Sequence, residues 1–106
     1  MGIDQTLIAE IVRRAVEAIQ PSRIILFGSA ASGTMNPDSD IDLLVIKENF
    51  SNPRADRLRL LELLRGLGFA FDIFVMTTER FEESKGVIGG LAFPASKYGK
   101  VIYEAA

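Results

Sequence analysis

Two short apolar segments of this chain, residues 23–27 and 40–47, limit what it can fold into. Continuous apolar runs of this length, bounded by turn residues, indicate buried strands. Both faces of the second run are apolar beyond Asp42, so we predict a central strand there. Asp40 and Asp42 stand at its beginning. Placing two carboxylates at the edge of a core is costly unless something compensates their charge.

Composition narrows the classes of protein that this chain can belong to. A length of 106 residues predicts a single domain over 1–106. With 12 basic and 14 acidic residues and no basic block, nucleic-acid binding is not expected. The chain has no cysteine and no histidine, which excludes disulfides, thiol nucleophiles, Cys/His zinc sites and histidine acid–base chemistry. Any metal would be held by oxygen ligands, as Mg²⁺, Mn²⁺ or Ca²⁺ are.

No feature of the sequence predicts a membrane location. The N-terminus has no signal-peptide pattern, and the longest uncharged run, 24–37, is too short and too often interrupted to span a bilayer. We therefore expect a cytoplasmic protein. The uncharged segment 86–96 has two interpretations: a surface for a partner or for self-association, or a segment packed on its own sheet.

The order of predicted elements indicates an α/β or α+β fold, with a sheet covered by helices. A helix is predicted over 4–19 with Asp4 as N-cap, and a second helix from residue 52 with leucines 58, 61, 64 and 67 on one face. The remaining predictions are a short helical turn at 29–33, a loop at 34–39, a strand at 69–76, a helix at 77–84 and a strand at 100–104.

Three aspartates are candidates for one polar cluster. Asp40 and Asp42 share a face of their strand, with backbones about 6.5–7 Å apart. Asp72 lies inside the apolar run 69–76, where strand propensity does not favour it. If the two strands are neighbours, the three carboxylates converge, at least one pKa rises, and a divalent cation would offset the repulsion. Alternatively, Asp40 is an ordinary turn residue, and Asp72 bonds a backbone amide or an arginine.

Gly28 and Ser29 follow the first apolar run directly. Glycine after a buried strand permits a tight turn and close approach of the backbone, and a helix beginning at Ser29 would favour an anion at its N-terminus. The alternative is a simple turn with a helix cap. A phosphate site beside metal-binding carboxylates would suit a nucleoside triphosphate.

The spacing of these motifs resembles a known family. Gly28-Ser29, ten residues and then Asp40-Ile41-Asp42 is similar to the signature of nucleotidyltransferases of the DNA polymerase beta superfamily. The flanking apolar strands, "FDIFV" around Asp72 and the ending "YGKVIYE" are also similar, so the resemblance covers nearly the whole chain. Its size resembles the minimal nucleotidyltransferases (MNT type), some of which pair with a small helical HEPN protein in toxin–antitoxin modules.

This resemblance implies a fold, a reaction and a partner. The fold would be a mixed central sheet of about four strands flanked by helices. Gly28 and Ser29 would hold the triphosphate, and Asp40, Asp42 and Asp72 would be catalytic and bind Mg²⁺ or Mn²⁺. The enzyme would transfer AMP from ATP to a hydroxyl of a protein or small molecule. Asp72 would help to deprotonate that acceptor hydroxyl. The expected partner is a HEPN-type protein that the chain counteracts as an antitoxin, or a second copy.

One departure from the family pattern leaves a second function open. Many relatives carry an arginine just after Gly-Ser, where this chain has Ala30-Ala31-Ser32. Lys47, Arg80 or Lys85 could supply the charge, although a solvated surface is the more typical place for each. The alternative to an enzyme is a catalytically weak or inactive binding module that neutralises its partner by contact.

Overall fold

The computed structural model describes residues 4–33 and 39–105. All but one residue of the predicted loop 34–39 lies outside these ranges. The described helices are α1 (Gln5–Ile19), α2 (Ser29–Ser32), α3 (Pro53–Leu64), α4 (Thr78–Ser84) and α5 (Ala92–Tyr98). The described strands are β1 (Arg23–Phe27), β2 (Ile41–Lys47), β3 (Phe71–Thr77) and β4 (Lys100–Glu104).

The four strands form one mixed sheet in the order β3-β2-β1-β4. β1 runs antiparallel to both β2 and β4, whereas β2 and β3 are parallel. The long connection that parallel neighbours require is supplied here by α3. The predicted mixed sheet flanked by helices is confirmed, and β2 is central as expected.

Helix α1 follows the sequence prediction closely. The Asp4 carboxylate accepts a hydrogen bond from the Leu7 N–H at 2.8 Å, which satisfies one of the free donors of the first turn. Ile8, Ile11 and Ala15 are buried at helical spacing. The helix ends where Gln20 takes a left-handed conformation, with φ of 50°.

One face of the sheet packs against α1 and α3. The core cluster of this layer contains the buried residues Ile11, Ala15, Ile19, Ile24, Leu26, Ala30, Ile41, Leu43, Val45, Leu60, Leu64 and Ile73. The stripe predicted for α3 is wrong in part: Leu60 and Leu64 are buried, but Leu58 is 51% exposed. Repeated three-residue spacing rotates around an α-helix of 3.6 residues per turn, so it does not keep one face toward the sheet.

The other face of the sheet packs against α4 and α5. Its buried residues are Ile25, Leu44, Ile46, Phe81, Ala92 and Ala95. The uncharged segment 86–96 packs on its own sheet in part, and its role as a partner surface stays a prediction. Val87 and Ile88 are exposed, whereas Ala92 and Ala95 pack on the sheet.

Gly99 joins α5 to β4 at a point of very close packing. A Cβ placed there would overlap the Ala95 carbonyl and the Ile25 side chain and would crowd the Leu26 carbonyl. We expect Gly99→Ala to lower the free energy of unfolding by about 1–3 kcal/mol, because overpacking forces neighbours apart. Denaturant titration measures the change. Gly90→Ala is the matched control, since no atom of the described residues, its two chain neighbours aside, lies within 4 Å of the added methyl group. Equal stability of the two variants would contradict this packing.

Candidate active site

The parallel pairing of β2 with β3 brings Asp42 and Asp72 side by side. Their Cα atoms are register partners, so their side chains point to the same face about 4.8 Å apart at the backbone. Asp42, Leu44 and Ile46 are spaced two residues apart along β2 and therefore share a face. That face is the one covered by α4 and α5. Asp42 and Asp72 are both partly buried. The sequence analysis predicted that the carboxylates converge if their two strands are neighbours, and β2 and β3 are neighbours.

Asp40 lies one residue before β2 and is exposed. Its charge nevertheless reaches Asp42. The pKa of Asp42 is raised above its ordinary value, first by burial and then by the negative charges of Asp72 and Asp40. The predicted rise in at least one carboxyl pKa is confirmed at Asp42.

Gly28 brings the backbone after β1 against the Asp42 carboxylate. It lies next to Phe27, whose Cα is the register partner of Asp42. A Cβ on Gly28 would overlap the Oδ2 atom of Asp42, and the φ of 69° with ψ of −150° is a conformation open essentially to glycine alone. Close approach of the backbone at Gly28, as the sequence suggested, is therefore present, with the Asp42 carboxylate as the neighbour.

Ser29 begins α2 directly after Gly28 and is partly buried. The Gly28 carbonyl accepts hydrogen bonds from the N–H groups of Ala31 and Ser32, at 3.2 and 3.1 Å. The N–H groups of Ser29 and Ala30 come before the first of these hydrogen bonds, and the first N–H groups of any helix have no acceptor within that helix. Gly28 and Ser29 are therefore placed at the same end of the sheet as the aspartates.

An aromatic pair that the sequence analysis missed lies beside the carboxylates. The rings of Phe27 and Phe74 are 5.9 Å apart and tilted by 49°. Phe74 follows Asp72 by two positions and so shares its face. The pair provides an apolar border beneath the carboxylates, consistent with burial as the main cause of the raised Asp42 pKa. The available signal was the two-residue spacing between Asp72 and Phe74, which places both side chains on one face of their strand.

The carboxylates are suitable ligands for a hard divalent cation, although they do not form a complete coordination site. Carboxylate oxygens are the ligands that Mg²⁺ and Mn²⁺ prefer. Among the described residues, no three acidic, His or Cys side chains are grouped closely enough to hold a metal ion as they stand. Mutual repulsion of the carboxylates favours such separation. Asp42 is close enough to feel the negative charges of both Asp72 and Asp40.

None of the cations considered as replacements for the missing arginine is placed beside the carboxylates. Lys47 ends β2, about 17 Å along the strand from Asp42, and lies 3.8 Å from Asp56. Lys85 pairs with Glu82 at 2.7 Å. Arg80 is exposed in the first turn of α4, which follows the end of β3 away from Asp72.

A separate cleft of about 460 Å³ lies at the opposite end of the sheet. Its lining includes Arg23, Ile46, Glu48 and Glu104. Arg23 and Glu104 form an ion pair there at 2.8 Å. This cleft is remote from the aspartates.

Comparison with known proteins decides the family. A family model described as a nucleotidyltransferase domain matches residues 7–98. The chain belongs to this nucleotidyltransferase family. The match extends from α1 to the last residue of α5 and so includes every aspartate of the site. No curated protein matches the sequence.

Solved structures of toxin–antitoxin complexes share the fold of this nucleotidyltransferase. A complex with AMP-PNP gives a TM-score of 0.69 at 23% identity, over 92% of this chain and 73% of that one. A variant of MntA–HpeT with two Asp→Glu substitutions gives 0.67 at 19% identity, over the same shares. A tri-AMPylated Shewanella oneidensis HEPN toxin with its MNT antitoxin gives 0.63 at 18%, over 97% and 74%.

The described helices include none with the length and apolar character needed to cross a membrane. The longest, α1, has 15 residues and carries charged side chains on its outer face. A membrane-spanning helix needs about 20 predominantly apolar residues.

We expect Asp42→Asn to stabilise the metal-free protein at pH 7. A folded-state pKa above the ordinary 3.8 means that ionised Asp42 destabilises the folded protein. The free energy of unfolding therefore falls as pH rises through the interval from 3.8 to the folded-state pKa. Denaturant titration from pH 3 to 7 should therefore show a gain for the variant at pH 7 that shrinks below pH 3.8. Glu83→Gln removes the same charge on exposed α4 and serves as control. A gain independent of pH would contradict the electrostatic cause.

Proposed function

We propose that this nucleotidyltransferase transfers AMP from ATP to a hydroxyl group of a partner protein. The observation that carries the proposal is the placement of Asp42 beside Asp72, with the Gly28 backbone pressed against the Asp42 carboxylate. This arrangement joins a turn suited to phosphate with carboxylates suited to a divalent cation, at one end of one sheet.

The chain's own residues divide the reaction between them. Gly28 and Ser29 would bind the triphosphate through backbone N–H groups and the Ser29 hydroxyl. Asp72 would accept the proton of the acceptor hydroxyl as its oxygen attacks the α-phosphorus. The new oxygen–phosphorus bond forms while the bond from the α-phosphorus to the bridging oxygen breaks, so pyrophosphate leaves. Phe27 and Phe74 would limit water beside the reacting groups.

Mg²⁺ or Mn²⁺ fits the oxygen ligands that Asp40, Asp42 and Asp72 provide. When bound, such an ion would offset the negative charge of carboxylates and phosphates and polarise the phosphoryl oxygens. In its absence, burial and then the negative charges of Asp72 and Asp40 raise the pKa of Asp42.

The proposed acceptor is a small helical protein of the HEPN type. One structural relative is a complex of a tri-AMPylated HEPN toxin with an MNT antitoxin, and another complex contains AMP-PNP. The present chain would by analogy act as the antitoxin of such a pair. The proposal keeps the cytoplasmic location expected from the sequence, since the reaction consumes ATP.

A contact-only antitoxin is the second candidate function, and one observation favours it. In place of the arginine common after Gly-Ser, Ala30 is buried and Ala31 packs against the core, so this part of α2 contributes no positive charge. Weaker phosphate binding would leave neutralisation of the partner to surface contact alone.

Transfer of label distinguishes these two functions. The protein is incubated with Mg²⁺, a HEPN-type partner and ATP labelled at the α-phosphate. We expect the partner to become labelled, Asp42→Asn to abolish labelling, and γ-labelled ATP to give none, because the γ-phosphate leaves with pyrophosphate. Inhibition of the partner that persists in Asp42→Asn without any labelling would instead support the contact-only antitoxin.

Thermal unfolding tests binding independently of catalysis. Mg²⁺ with a non-hydrolysable ATP analogue should stabilise the native state by about 2.7 kcal/mol at one hundred times the dissociation constant. The Asp40→Asn/Asp42→Asn double variant should lose most of this response while remaining folded. An unchanged melting temperature of the unaltered protein at millimolar ligand would exclude the proposed site.

A further inference from the structure

Arg57 occupies an unusual place in α3. It precedes the buried residues Leu60 and Leu64 by three and seven positions, so it lies on the stripe of the helix that faces the sheet. Its side chain is part-buried, and its Nε–H donates a hydrogen bond to the Ile73 carbonyl at 2.8 Å. Within residues 4–33 and 39–105, no carboxylate lies within ion-pair distance of it. A charged group in this position calls for an explanation beyond solubility.

The carbonyl that Arg57 binds belongs to the outer edge of the sheet. β3 is an edge strand whose one neighbour within the sheet is β2. Edge strands carry unpaired backbone groups on their free side, and they fray more readily than central strands. Ile73 follows Asp72 immediately, so the Arg57 contact holds the free edge beside the carboxylate.

We infer that Arg57 is a positioning residue, which acts through β3 to keep Asp72 aligned with Asp42. This inference rests on the proposed function for its catalytic consequence, but its structural claim stands on the hydrogen bond itself. The side chain of Asp72 faces the α4 and α5 layer, whereas Arg57 approaches from α3 on the opposite face. Arg57 therefore need not touch substrate, and Asp72 is oriented through its backbone.

The requirement for alignment is strict because Asp72 would take a proton from the attacking hydroxyl. A displacement of about 1 Å in a reacting group can reduce the rate about a hundredfold. Gly28 and Ser29 lie at the end of β1, separated from β3 by β2, so triphosphate binding should be little affected by a change at Arg57. Loss of Arg57 should therefore lower kcat much more than it raises the KM for ATP.

The test compares three single variants of the full chain: Arg57→Gln, Arg57→Lys and the matched control Arg54→Gln. Arg54 is exposed in the first turn of the same helix. Hydrogen exchange of the Phe71–Phe74 amides is measured alongside steady-state transfer to the partner protein, well below the melting temperature of each variant. Arg57→Lys retains an N–H donor and tests rescue by a conservative change.

We expect the Phe71–Phe74 amide hydrogens to exchange at least about tenfold faster in Arg57→Gln than in Arg54→Gln. The exchange rates of the α1 amides should be the same in both variants. We expect its kcat to fall at least about tenfold with KM for ATP within about twofold, and Arg57→Lys to recover part of both losses. Equal exchange in Arg57→Gln and Arg54→Gln would overturn the inference, as would a rise in KM equal to the fall in kcat. If the unaltered protein transfers no label, the proposed function fails, while the exchange comparison still decides the role of Arg57.

Discussion

The parallel register between β2 and β3 is the constraint on which the candidate site depends. It sets Asp42 directly beside Asp72, and the turn at Gly28 then presses backbone against the same carboxylate. Without a cation this arrangement is unfavourable, because burial and two like charges raise the pKa of Asp42. The surrounding core must hold these groups in place, which is how functional sites commonly retain strained or repelling residues.

The two faces of the sheet divide stability from access. Among the described residues, the core cluster on the α1 and α3 side of the sheet has twelve buried members, and the cluster on the α4 and α5 side has six. The aspartates lie on the face with the smaller layer, and Asp42 and Asp72 remain only partly buried. A nucleotide and an acceptor could therefore approach this end of the sheet without unpacking the larger core. Arg57 joins α3 to the edge strand that carries Asp72.

Much of the local structure was predictable from the sequence because helix and strand periodicity depend on short-range backbone geometry. Asp4 caps α1 as predicted, β1 matches its predicted range, and β2 is central. The α3 stripe was wrong at Leu58, because repeated three-residue spacing does not keep to one face of a helix with 3.6 residues per turn. Segment 86–96 could not be assigned because an uncharged run suits either a core or an exposed surface.

The sequence by itself determined the chemistry that the chain can offer: oxygen ligands without histidine or cysteine, a glycine-serine turn, and two aspartates two residues apart at the start of an apolar run. Only the tertiary structure decided that Asp72 is the neighbour of Asp42, that Phe27 and Phe74 border them, and that Arg57 binds the strand edge. The physical reason is that alternation along a strand follows from its own backbone. The choice of a neighbouring strand and its register depends instead on packing between residues far apart in the chain.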